Sequence, residues 1–463
     1  MIGLVGGWRL VKEALQGGDR DYTAMGLRRA VVLLSIPMVL EMAMESLFAL
    51  VDVFFVSRLG TDAVAVVGLT EGVMMLIYAL AWGLAAGITA VVSRRTGEKD
   101  TEGANQAAAQ GLFIALVLGL LLALPAIAHS GTMLRLMGAT PGVEAMGRPF
   151  MALMLGSNVV ILLLFGINAI FRGAGNAALA MRALWLANGV NIVLDPLLIF
   201  GLGPVPAMGV TGAAVATIIG RGCGVVYQCW HLYDGRGKVK LAARHLRPAW
   251  GALWRIVRLS GAAAAQFLIA SASWLVLVRV VAGFGSDAVA GYTIAVRIIV
   301  VVLLPAYGIS NAASTLVGQN LGAGSPDRAE RSTWLCGHIN MVYMTAMTVV
   351  FLLLAPVLIG WFSTSDAVLH TGVQALRIVS LGYFFFAYGM VLSQAFNGAG
   401  DALTPVWLNL ICFWLVEIPL AWYLATSMQA PTGVFISIAF SESLLAVLSA
   451  WVFRQGRWKA VRV

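Results

Sequence analysis

Twelve successive runs of about 20 apolar residues dominate the chain, and each is long enough as a helix to cross roughly 30 Å of hydrocarbon. With 60% of residues hydrophobic and 11% charged, a water-soluble globule of 463 residues could not hide this much apolar surface. In hydrocarbon every backbone polar group needs an internal partner, which leaves helices and closed barrels. The runs are continuous rather than short and alternating, so a barrel is excluded. The expected fold is an all-α polytopic membrane protein with 12 transmembrane helices, the first at 31–57 and the tenth at 367–395.

The runs fall into two copies. Gly60-Thr-Asp-Ala-Val-Ala65 returns 225 residues later as Gly285-Ser-Asp-Ala-Val-Ala290, and Phe171-Arg-Gly-Ala-Gly175 as Phe396-Asn-Gly-Ala-Gly400. Gly97 returns as Gly322 and Ser35 as Ser260. Six helices per copy is an even number, so both copies enter the membrane in the same sense. The expected architecture is two pseudo-symmetric six-helix lobes in parallel repeat around a central cleft, at 31–232 and 254–453. A cytoplasmic segment at 1–30, a linker at 233–253 and a tail at 454–463 complete the chain.

Most Lys and Arg lie in the terminal segments and alternate loops, against Arg58, Arg135 and Arg148 in the others. Positive-inside bias then places both termini in the cytoplasm and the chain in the inner membrane. The net charge of +9 is this topology signal, and no nucleic-acid partner is expected. The first 29 residues lack the apolar core of a signal peptide and read as a cytoplasmic or interfacial segment. Arg236, Lys238, Lys240, Arg244, Arg247, Arg255 and Arg258 mark a solvated linker. Cys223, Cys229, Cys336 and Cys412 read as buried small hydrophobes, with neither disulfide nor metal site implied.

Ionisable groups inside apolar runs need a reason. The first run holds Glu41, Glu45 and Asp52 on one stripe about 16 Å long, with Pro37 able to kink the helix. The fifth run holds Asn191 and Asp195 one turn apart before Pro196. A carboxylate beside an amide oxygen suits a hard cation or a proton relay. Should Asp52 and Asp195 approach each other, both cannot easily stay ionised in a poorly hydrated site, which equips the pair to exchange a proton or trade it for Na⁺. At the 225 offset Glu41 meets Gln266 and Asp52 meets Leu277, so this chemistry belongs to the first copy. Glu417 before Pro419 and Glu442 are the acids of the second copy, and Arg221, Arg279, Arg297 and Arg377 should snorkel or pair with interior acids. Trp274 and Tyr383-Phe-Phe-Phe386 with Tyr388 are candidates to line a cavity for flat cations.

Over nearly its whole length the chain resembles the multidrug and toxic compound extrusion (MATE) family, closer to its DinF-like branch. The resemblance rests on Pro37, Val51-Asp52-Val-Phe-Phe-Val-Ser-Arg-Leu-Gly60, Asn191-Ile-Val-Leu-Asp195-Pro196, Gly212-Ala-Ala-Val-Ala-Thr217 and Gln319-Asn-Leu-Gly-Ala-Gly324 in this order. It implies two lobes around a V-shaped cleft and export of cationic or amphipathic small molecules, driven by entry of H⁺ or Na⁺. It implies a cation or proton site of Asp52, Asn191, Asp195 and Thr217. Glu41, Glu45, Gln266, Tyr388 and Glu417 are the candidate substrate-cavity residues. Gln266 stands where the NorM-like branch has an acid, so a second-lobe Na⁺ site is not expected. No cofactor beyond the coupling ion is expected, no enzyme activity, and a monomer in the bilayer. A lipid-linked oligosaccharide flippase of the same superfamily is the alternative function.

Overall fold

The computed structural model describes residues 4–18, 20–201, 203–234 and 238–463. The first lobe comprises α2 (Leu27–Ser57), α3 (Thr61–Gly97), α4 (Thr101–Leu136), the pair α5 (Pro141–Gly156) and α6 (Asn158–Gly173), α7 (Ala177–Phe200) and α8 (Val210–Asp234), preceded by α1 (Leu4–Gln16). The second comprises α9 (Trp250–Ala282), α10 (Ser286–Gly322), α11 (Pro326–Gly360), the pair α12 (Asp366–Leu381) and α13 (Tyr383–Ala399), then α14 (Leu403–Asn409) with α15 (Ile418–Met428), and α16 (Thr432–Arg454). Among the described residues ten spans are long and apolar enough to cross a membrane, and the α12–α13 pair, bent by 61°, is an eleventh. The twelfth is α2, 31 residues long and running unbroken through Pro37. Between α14 and α15 the backbone is a π-helix over Leu410–Glu417, a geometry that recurs at functional sites.

Each lobe has its own apolar core, one around Leu84, Ile88, Ile161 and Ile170, the other around Tyr292, Phe351, Tyr383 and Phe435. The repeat is visible in the backbone. Gly60 and Gly285 open α3 and α10 with φ of +105° and +103°, a conformation that favours glycine. Where the lobes meet, the repeat becomes a pseudo-twofold. A Cβ on Gly97 would sit 2.0 Å from the Gln319 carbonyl oxygen, and one on Gly322 would sit 2.2 Å from that of Arg94. Arg94 and Gln319 are themselves 225 residues apart, so the contact is reciprocal. Gly83 meets Ala264 and Gly308 meets Val39 in the same way. Trp82 and Tyr307, also repeat-related, stack edge-on at 5.5 Å on the axis. These small residues let α3 and α10 approach the opposite lobe closely. Lobe contact runs from the Gly97–Gly322 end to the hydrogen bond of Ser46 Oγ with Val301 O (3.2 Å), and Leu47, Leu50 and Phe54 beyond it are exposed.

Both chain ends seal the Gly97–Gly322 end. The N-terminal segment is ordered rather than merely interfacial: Arg182 of α7 donates to the Leu15 and Gln16 carbonyls (2.6 and 2.8 Å), and Arg328 of α11 donates to those of Tyr22 (3.0 Å) and Met25. At the tail, Trp458 stacks on Phe453 at 4.5 Å, and the Val461 carbonyl accepts from Arg94 of the first lobe. The basic linker is not a free solvated loop. Gln110 donates to the His245 and Arg247 carbonyls, each at 2.9 Å, and Asn105 accepts from the Lys240 amide, so the linker lies on α4. Arg236 lies outside the described residues. Two cysteines also depart from expectation: Cys336 and Cys412 are buried, but Cys223 and Cys229 are exposed on α8.

Candidate functional site

In the first lobe, α7 and α8 pack closely because Gly220 faces the Ala187 carbonyl, where a Cβ would come within 2.5 Å. That approach brings Thr217 to Asn191, whose Nδ2 donates to Thr217 Oγ1 at 3.1 Å and toward Asp195 Oδ1 at 3.5 Å. Asn191 and Asp195 are fully buried, yet Asn191 Oδ1 and Asp195 Oδ2 have no hydrogen-bond partner among the described residues. Asp52 of α2 is half-buried and within electrostatic range of Asp195, Glu71 and Arg221. All four residues expected at a cation or proton site thus converge on one region between α2, α7 and α8.

The other two acids of the α2 stripe are compensated. Glu41, 1% exposed, pairs with Arg172 of α6 at 2.7 Å and accepts from Asn168 at 3.1 Å. Glu45 pairs with Arg221 of α8 at 3.3 Å and accepts from Asn188 at 3.1 Å. Arg221 also donates to Tyr78 and lies over the Phe48 ring. The Glu41–Arg172 pair has an uncharged twin: 225 residues on, Asn397 Nδ2 donates to Gln266 Oε1 at 3.1 Å. The same inter-helix link is an ion pair in one lobe and an amide pair in the other, which marks Glu41 as a structural strut.

Removing one partner of a buried pair strands the other charge and costs about 3–5 kcal/mol. Glu41→Ala should therefore lower the unfolding temperature markedly. The double variant Glu41→Gln/Arg172→Asn, which copies the second lobe, should restore most of the loss in a thermal melt in detergent. Equal melting of both variants would contradict the strut.

Two participants escape a reading of the sequence by apolar runs. Arg172 lies at the end of a span and reads as a loop charge, although it is buried against Glu41. Glu71 lies inside the second apolar run, is exposed, and is within electrostatic range of Asp52 and, from the other lobe, of Arg297.

In the second lobe, Gln266 lines a cavity of about 360 Å³ together with Trp274, Phe386 and Glu442. Glu417, 1% exposed, ends the π-helix, and its Oε2 has no hydrogen-bond partner among the described residues. Tyr388 packs elsewhere, against Trp334, His338 and Phe384.

Two six-helix lobes joined about a pseudo-twofold, with unpartnered carboxyl oxygens buried inside apolar spans, define a polytopic membrane transporter. The chain belongs to the MATE family: the MatE family model matches residues 37–197 and 262–423, one stretch in each lobe. It is similar to a probable multidrug resistance protein NorM of Thermotoga maritima, 25% identical over 439 residues covering 94% of this chain and 93% of the relative. A FAD transporter of Shewanella oneidensis is 26% identical over 423 residues, covering 90% and 92%. Among solved structures, an outward-facing multidrug resistance MATE family transporter of the MOP superfamily superposes with a TM-score of 0.89 at 27% identity, covering 95% of this chain and 98% of that one.

Proposed function

We propose that the protein is a secondary antiporter of the inner membrane, both termini cytoplasmic, that exports organic cations and amphipathic drugs in exchange for H⁺ or Na⁺. The observation that carries this reading is the pair of buried, unpartnered oxygens on Asn191 and Asp195 beside Asp52. Glu41 and Glu45 form ion pairs with arginines, and Asp52 and Asp195 form none among the described residues. A buried carboxylate without a counter-ion is unfavourable by several kcal/mol, so an incoming H⁺ or Na⁺ is stabilised there. Asp195 supplies the charge, and Asn191 and Thr217 supply neutral oxygens. Closure at the Gly97–Gly322 end, with exposed α2 residues beyond Ser46, supports a cleft open to the outside. Cation entry would neutralise the site, allow α2 to repack against α7 and α8, and let the lobes rock about the Trp82–Tyr307 axis. A membrane potential contributes about 2.3 kcal/mol per charge per 100 mV.

Similarity to a protein named for FAD transport raises an anionic substrate as a second candidate. Asp52 lies within electrostatic range of both Glu71 and Asp195, and this acidic group favours cations over a pyrophosphate, which also argues against a lipid-linked oligosaccharide flippase. Cells expressing the protein should accumulate less ethidium than control cells, and a protonophore in Na⁺-free medium or a Na⁺ ionophore should remove the difference. A difference that persists when both gradients are collapsed would contradict antiport.

A further inference from the structure

The cavity in the second lobe has a composition of its own. Its walls are Trp274, Phe267, Tyr307, Phe386 and Phe413, and among the described residues Glu442 is its single charged lining side chain. At about 360 Å³ it lies within the range of small-molecule sites, which are mostly apolar with a few placed polar groups. Glu442 is 6% exposed, its Oε2 has no hydrogen-bond partner, and it forms no ion pair among the described residues. Tyr307, Tyr383 and the carboxyl of Glu417 are within its electrostatic range, and none of them carries a positive charge. Arg172, Arg221 and Arg297, the arginines that meet acids elsewhere in the bundle, are absent from the lining. The first lobe contributes one residue to this wall, Met75, one turn beyond Glu71.

We propose that this cavity is a substrate subsite that takes the positively charged end of an organic cation against Glu442. The proposal rests on the reading of the chain as an exporter of organic cations and assigns the substrate charge to the lobe that lacks the coupling site. A carboxylate in a poorly hydrated pocket gains from an incoming cation what it lost on burial. Aromatic faces add cation–π attraction without demanding one substrate shape. Gln266 and Asn409 line the same cavity and can align polar groups. Because Met75 belongs to the other lobe, rocking of the lobes removes one wall, so occupancy and conformation are linked. The division of labour follows: Asp52 and Asp195 hold the driving ion, and Glu442 holds the cargo some distance away in the other half of the molecule.

The test is equilibrium binding of ethidium, read by fluorescence anisotropy, to the purified full-length protein in nanodiscs, with the neutral probe N-phenyl-1-naphthylamine alongside. Glu442→Gln should weaken ethidium at least about tenfold, the loss expected for one desolvated charge contact, and leave the neutral probe unchanged. Ser271→Trp, which fills the cavity without altering a charge, should weaken both probes and keeps the test alive should Glu442→Gln fold poorly. Unchanged ethidium affinity in either variant overturns the subsite, as does an equal loss of both probes in Glu442→Gln. Ethidium/H⁺ and ethidium/Na⁺ exchange by the wild type is measured in parallel. Normal exchange with unaltered Glu442→Gln affinity removes the subsite and leaves antiport standing, whereas absent exchange removes antiport itself.

Discussion

Asp52→Asn and Asp195→Asn should each reduce gradient-driven ethidium export by about tenfold or more, the scale of a lost coupling free energy between two ligands. Each substitution keeps the side-chain volume and removes the charge, so it mimics the neutralised site permanently. The lobes then lose the difference between ion-loaded and ion-free states, and a ligand that does not discriminate two states shifts nothing between them. Ethidium affinity should fall as well, because neutralisation favours the rocked conformation in which Met75 leaves the second-lobe cavity. Efflux from preloaded cells at matched expression checks the first part, and anisotropy on purified protein the second. Undiminished export by both variants would remove the coupling role of the Asp52–Asn191–Asp195 region.

Gly97→Leu should abolish export by a different route. A Cβ at this position would sit 2.0 Å from the Gln319 carbonyl oxygen, and the opposing atom is backbone that cannot swing aside. The wedge falls between the lobes rather than inside either core, so each lobe folds while the end sealed by Gly97 and Gly322 is held apart. Overpacking of this kind costs about 1–3 kcal/mol, enough to reverse a balance between two conformations of similar energy. Gly322→Leu should act alike, because its Cβ would approach the Arg94 carbonyl at 2.2 Å. The readout is access: on a cysteine-free background, a cysteine at Gln266 should react with a membrane-impermeant maleimide from the cytoplasmic side in Gly97→Leu and stay protected without it. Normal export by both glycine variants would contradict alternating closure at this end.

Much of this is legible in the sequence for one reason: hydrocarbon punishes exceptions. The helices follow from apolar runs, with ends that shift by up to eight residues: α2 begins at Leu27 rather than 31, and α4 runs to Leu136 rather than 128. Asn191 and Asp195 stand out because polar groups one turn apart in an apolar run are costly unless used. The 225-residue repeat carries through to matched glycine conformations and to the reciprocal lobe contact. Pairings are what the sequence hides. Glu41 and Arg172 are separated by 131 positions, and Glu45 and Arg221 by 176, so nothing local shows which acids of the α2 stripe are compensated. The π-helix at Leu410–Glu417 has no compositional mark beyond the following Pro419. Docking of the linker on α4 depends on backbone carbonyls of His245 and Arg247, which a count of charges does not register.

In the proposed exchange, one H⁺ or Na⁺ received at Asp52, Asn191 and Asp195 is traded for an organic cation. Its most direct measurement uses proteoliposomes preloaded with a pH-sensitive dye, to which ethidium is added under an imposed H⁺ or Na⁺ gradient. For the wild type, ethidium movement against its gradient should accompany dissipation of one of the two ion gradients, and Asp195→Asn should abolish both fluxes together. Ethidium movement that proceeds unchanged in Asp195→Asn, or that consumes neither gradient in the wild type, would rule out exchange at this site.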